Sequence, residues 1–187
     1  MSNETITSAL LDGRFEEAED GILIPTARTI IRGVWSFCKR GEPVETAYNM
    51  VVTQGRDYLL ATGLKGSVGA ASWFVAPFTN DVSVQTTWTA SNFTATAGEV
   101  TNYESVARPT WTGGAVASGA VNSFLSKAEI KSTVDSLVIR GAALLSVSAK
   151  SSTSGTMFAA ARFPSPKTLD TDEILDIGYG IQLLVAT

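Results

Sequence analysis

Histidine is absent from this 187-residue chain, and cysteine occurs once, at Cys38. The first absence removes the commonest general base and the commonest zinc ligand together. The second excludes an intrachain disulfide and any multi-cysteine metal site. Charge is scarce too: 17% of residues are charged, below the usual quarter. The net charge is −4 and no basic stripe exists to neutralise phosphates, which argues against a nucleic-acid partner. No apolar run approaches the roughly 18–20 residues of a membrane span. Met1-Ser2-Asn3-Glu4 lacks the basic start and apolar stretch of a secretion signal.

Catalytic patterns are missing as well. There is no Gly-x-Ser-x-Gly elbow and no phosphate loop ending in Gly-Lys-Ser/Thr. A serine nucleophile without histidine needs a lysine base. Lys127 and Lys131 lie near Ser126 and Ser132, but in a predicted loop and without a third group. Asp170, Asp172, Glu173 and Asp176 lack the glycine and ligand spacing of a calcium loop, and read as a solvated connection. Glu16, Glu17, Glu19 and Asp20 have nothing around them to shift a pKa. The sequence therefore predicts no catalytic residue, no metal and no cofactor, so the chain does not read as an enzyme.

What is present is β-structure. Ser and Thr make up over a fifth of the chain, and Thr fits a pleated surface through its branched Cβ. Near the C-terminus, Leu175, Ile177, Tyr179, Ile181, Leu183 and Val185 alternate with Asp176, Gly178, Gly180, Gln182 and Leu184. That period of two predicts a strand with one face in a core. A similar row, Leu137, Ile139, Gly141, Ala143, Leu145 and Val147, precedes a polar turn at 150–155 and a strand over Met157 to Phe163, which Pro164 and Pro166 are expected to end. Asn49 to Val52, Trp73 to Ala76, an alternation of Val82, Val84, Thr86 and Trp88, a piece between Tyr103 and Trp111, and Val121 to Leu125 supply further strands. One short helix is predicted from Thr53, with Tyr58, Leu59 and Leu60 on its buried side. Seven or eight short strands at this spacing predict an all-β, jelly-roll-like antiparallel β-sandwich.

Residues 1–45 differ from the rest, with an acidic cluster, a looser basic one and apolar groups between them. They are expected to form an extended N-terminal arm, leaving 46–187 as the sandwich. Ile30, Ile31, Trp35 and Phe37 are its expected anchors on a neighbour. Gly178, Gly180 and Gln182, on the outer row of the last strand, are expected to meet a neighbouring subunit. Arg108 is expected to pair with nearby Glu104. Trp73, Trp88 and Trp111 leave open a sugar-binding alternative, against ordinary core and subunit contact.

Several pieces in order carry a family resemblance. They are Asn49-Met50-Val51-Val52 leading into Gln54-Gly55-Arg56-Asp57-Tyr58-Leu59-Leu60, then Trp73-Phe74, then Tyr103-Glu104-Ser105-Val106-Ala107-Arg108-Pro109. Val138 to Ser146, Phe158-Ala159-Ala160-Ala161-Arg162-Phe163 and the alternating last strand follow. Over residues 46–187 this order resembles the jelly-roll cement or decoration proteins of tailed-bacteriophage capsids. The resemblance implies a homotrimeric structural protein of the virion, made in the host cytoplasm. Such a protein binds the major capsid protein on the outside of the head and clamps neighbouring subunits. A head-fibre, tail-fibre or baseplate component is the alternative.

Overall fold

The computed structural model describes residues 15–17, 23–25 and 28–186, with side chains from 30 to 184. Two compact units emerge. The smaller comprises Met1–Ile31 with Leu183–Thr187, and the larger is Arg32–Gln182. In the smaller unit β1 (Phe15–Glu17) pairs antiparallel with β2 (Leu23–Pro25), Phe15 opposite Pro25.

The larger unit is an all-β sandwich of two packed antiparallel sheets. One sheet joins β5 (Met50–Val51), β11 (Met157–Leu169), β10 (Leu137–Leu145), β6 (Trp73–Phe78) and β7 (Thr110–Trp111), in that spatial order. The other joins β4 (Glu45–Tyr48), β3 (Arg28–Lys39), β12 (Ile174–Ala186) and β8 (Ala120–Asn122), with β9 (Ala128–Lys131) also on β12. The strands β3 and β12 continue past the unit boundary. The predicted fold class is the one observed.

The last strand follows its pattern where the core reaches: Leu175, Ile177 and Tyr179 are fully buried. Ile181 is half-buried, Leu183 is exposed, and the side chain of Val185 lies outside the described ones. Aromatic rings join the sheets. Phe37 stacks on Phe163 at 3.8 Å between centroids, and Tyr179 meets Phe158 at 6.5 Å.

Four expectations are corrected. The boundary at 45/46 moves to 31/32, because Trp35 and Phe37 are fully buried core residues of β3 rather than anchors on an arm. Pro164 and Pro166 do not end β11. Its register on β10 jumps from Gly141↔Arg162 to Ile139↔Lys167, so residues 163–166 bulge out where no ladder bond is required of a proline. The alternating stretch from Val82 to Trp88 is not a strand. Together with a second short helix, α2 (Ala90–Phe93), and a π-helical turn (Thr94–Gly98), it covers the outer face of the first sheet. Lys131 lies on strand β9 rather than in a loop.

That cover gives the first sheet two buried faces. Ala142, Leu144 and Ala159 face the inter-sheet core, while Ala143, Leu145, Met157 and Ala160 pack against Phe78, Trp88 and Phe93. A strand buried on both faces reads as a near-continuous apolar run, which is what the two strands show. The main helix, α1 (Thr53–Gly63), packs against β11 as well. Tyr58 and Leu59 are its packed side chains, whereas Leu60 is 58% exposed, contrary to the pattern-based expectation. Gly55 sets the approach: a Cβ there would land on the backbone carbonyl of Phe158. Gly55→Ala is therefore expected to cost about 1–3 kcal/mol by forcing helix and strand apart. Gly63→Ala, with open space around the added methyl, is expected to be neutral or stabilising by up to about 1 kcal/mol. Urea denaturation of the two variants checks the contrast.

Candidate functional site

Two places gather the polar and exposed groups of the larger unit. The first is built on the loops around Arg108. Pro109 restricts the preceding residue to an extended backbone, and the Arg108 N–H donates to the Ser148 carbonyl at 2.7 Å. The side chain then turns inward to Glu99, which an isolated bridge to Phe78 holds beside β6. The pair is bidentate, with Nε to Oε1 at 2.8 Å and Nη2 to Oε2 at 2.7 Å, and both side chains are fully buried. Arg108 also donates to the carbonyls of Val147 and Ser152. Glu99 Oε2 accepts from Thr94 Oγ1 and the Ser151 N–H. A buried ion pair repays its desolvation only when its remaining hydrogen-bonding capacity is met, and this one meets it. The expected partner Glu104 instead faces Lys131, at 3.4 Å.

Beside the pair, Lys150 Nζ sits 3.5 Å from the centroid of the Tyr103 ring and donates to the carbonyls of Thr101 and Tyr103. Burial pushes the Lys150 ammonium down from its ordinary pKa. It pushes the Tyr103 phenol up, with the Glu99 carboxylate adding to the rise. The arrangement locks three loops together, with its charged groups turned to one another and to backbone carbonyls. What it presents to solvent is Val106, 96% exposed, two residues before the anchored Arg108. Leu125, fully exposed, stands on the β8–β9 connection.

The second place is the outer face of the second sheet. In β3 and β4, Val34 lies opposite Tyr48; in β12 and β8, Gly180 lies opposite Asn122 and Gln182 opposite Ala120. Directly opposed residues share a face, so each pair sits together. With Arg32, Phe124 and Ile181 they line a groove of about 370 Å3. Small residues in the middle make the depression, and Tyr48, 85% exposed, rises at one edge. Behind it, Gly33 leaves room for the Asn49 amide, whose Nδ2 donates to the Tyr179 hydroxyl at 2.9 Å. Burial raises the Tyr179 pKa.

The sequence-predicted site residues separate accordingly. Ile30 and Ile31 are half-buried in the smaller unit, and Trp35 and Phe37 are core. Gly178 and Gly180 are buried and covered from within the chain: a Cβ on Gly178 would stand 3.2 Å from the Phe124 ring, and one on Gly180 2.9 Å from the same ring. A bulky charge at Gly180 therefore disturbs the monomer itself, where the sequence reading expected only assembly to suffer. Gln182 is exposed. Tyr48, which no motif singled out, has a signal in hindsight: it flanks buried Ala47 on a short strand. The acidic group near residue 172 is engaged in ion pairs, Glu173 with Lys39, Asp172 with Lys131 and Asp176 with Arg40. Trp35 and Trp88 are buried, while Trp73 and Trp111 are half-buried, the first against Tyr58 and Phe158 and the second against Tyr179. No group of three or more metal-ligating side chains occurs among the described residues, and no helix there is long and apolar enough to cross a membrane. Compared with known proteins, the chain matches no family model and no curated protein.

Two predictions follow from these contacts. Arg108→Ala leaves the Glu99 carboxylate buried without its partner and is expected to cost about 3–5 kcal/mol. Pairing Arg108→Met with Glu99→Gln is expected to cost less than Arg108→Ala alone, and a denaturation series on the three proteins reads the difference. Tyr179→Phe removes the acceptor of Asn49 and is expected to cost about 1–3 kcal/mol near neutral pH. The folded-state pKa of Tyr179 is raised, so stability linked to it is intact below the ordinary value of 10 and falls as pH rises beyond it. The deficit of Tyr179→Phe against the parent should therefore shrink above pH 10, measured by denaturation at several pH values.

Proposed function

We propose that this protein is a structural component of a virion, a cement protein that binds the outer surface of a tailed-phage head and bridges major capsid subunits. The single observation that carries the reading is the exposure of large apolar side chains outside the strands, with Val106 beside a buried ion pair. Val68, Val106 and Leu125 are 98%, 96% and 102% exposed, Leu64 is 81% and Val116 is 77%. Side chains this bare would gain from burial against a partner, each by about 1.5–3 kcal/mol when fully covered. Val106 in particular is held by the buried ion pair that follows it. Presenting an apolar tip already ordered reduces the entropy lost on docking. Many copies on one lattice then add modest sites into firm attachment through avidity.

A sandwich whose core is closed and whose loops are cross-tied also suits a mechanical role, since resisting deformation requires stiffness rather than a moving lid. The resemblance over residues 46–187 points the same way. Self-association as a trimer belongs to the same proposal.

The test mixes purified protein with undecorated heads, measuring occupancy and resistance to rupture. Val106→Asp and Leu125→Asp lie at exposed positions and should change folding stability by no more than about 0.5 kcal/mol. Together they are expected to reduce occupancy at least about tenfold, the scale of losing a contact anchor. Binding to tails instead of heads, or full occupancy by the double variant, would overturn the reading.

A further inference from the structure

We infer that the groove on the outer face of the second sheet is a binding site for a hexopyranose unit of a glycan. This goes beyond attachment to a capsid and does not depend on it.

The argument begins with what the groove offers. Tyr48 stands at its edge with most of its ring bare, and an aromatic face accepts the C–H side of a sugar ring as an apolar surface. Opposite and below are Asn122 and Gln182, both exposed and both amides, each able to donate and to accept. Arg32 adds a planar fork of donors. A pyranose has the matching division, an apolar ring face and a rim of hydroxyls that each donate and accept. The volume of about 370 Å3 lies at the small end of the roughly 300–1,000 Å3 typical of ligand clefts, enough for a short saccharide.

Other occupants fit less well. An extended peptide binds by adding to a strand edge, whereas this groove lies across the faces of four strands and not along the outer edge of β4 or β8. A nucleic acid needs several cations along its backbone, and Arg32 is the only basic residue lining the groove. A purely apolar ligand would cover the Gln182 amide and the Arg32 guanidinium without offering them hydrogen bonds, while Asn122 Oδ1 already accepts from the Phe124 N–H.

The depression itself depends on small side chains. Ala120 lies where a larger residue would project into the groove, while a Cβ at Gly180 would meet the Phe124 ring and the Asn122 Cβ. Gly180 thus admits the Phe124 ring, which itself lines the groove.

The test is saturation-transfer NMR on the full chain with five methyl glycosides, those of glucose, galactose, mannose, N-acetylglucosamine and glucuronic acid. At least one is expected to receive saturation on the protons of one ring face. Tyr48→Ala should weaken that ligand at least about tenfold, whereas Tyr48→Phe should retain it. Tyr48 is exposed, so the thermal midpoint of Tyr48→Ala should match the parent and separate lost binding from lost folding. Gln182→Ala should change the ranking among the five sugars. No transfer to any of them, or transfer undiminished in Tyr48→Ala, would overturn the inference. Head occupancy of Tyr48→Ala, measured in parallel, keeps failure of this site distinct from failure of the capsid reading.

Discussion

The buried pair between Arg108 and Glu99 is the constraint on which the loop end of the sandwich depends. Strand ladders fix the sheets, yet the segments around residues 94–99, 103–109 and 146–152 share no ladder of their own. Arg108 reaches carbonyls of the last, its backbone belongs to the second, and Glu99 binds donors from the first and the last. One ion pair therefore replaces several short strands. The cost of burying two charges confers geometric uniqueness here, because a guanidinium fork and a carboxylate align in few ways. Val106 takes its fixed position from this alignment, so the apolar tip and the buried charge are parts of one device.

A second constraint is how close the first sheet can lie to what covers it. Ala142, Ala143, Ala159, Ala160 and Ala161 are almost wholly buried, on both faces. Their small side chains bring the aromatic cover of Phe78, Trp88 and Phe93 near one face and the second sheet near the other. Gly55 and Gly141 extend the same logic to the backbone, since a Cβ at Gly141 would fall on the Phe78 ring and the Ala161 carbonyl. Packing this tight transmits strain rather than absorbing it.

Sequence pattern disclosed the fold class because strand alternation is local. Leu175, Ile177 and Tyr179 alternate into the core as their spacing predicts, and the turn at 150–155 separates β10 from β11. Pattern failed where a tertiary partner overrides it. Val82 to Trp88 alternates like a strand, but its apolar residues meet a sheet face instead of a neighbouring ladder. Trp35 and Phe37 looked like arm anchors because acidic and basic clusters precede and flank them, while their true partners, Tyr179 and Phe163, lie far along the chain. Arg108 was assigned the nearer carboxylate for the same reason: sequence distance is a poor guide once loops fold back. Of the candidate groove, Gly180 and Gln182 were legible from the last strand. Tyr48 was not, because a four-residue edge strand is too short for its alternation to stand out.

The two sheets treat their outer faces differently, and that difference localises function. The outer face of the first is closed by the chain's own second apolar cluster. The second is closed in part, where Phe124 and Lys127 lie over Gly178 and Gly180. Glycine inside a strand costs backbone entropy and forfeits packing, so two of them in one strand need a return. At Gly178 the return is accommodation of the Phe124–Lys127 connection. At Gly180 the return is the same, since a Cβ there would meet the Phe124 ring and the Asn122 Cβ, and beside it lies a groove edged by an exposed tyrosine. Close packing of Phe124 on the two glycines, with Tyr48 standing exposed at the edge, is what shapes the groove on this face.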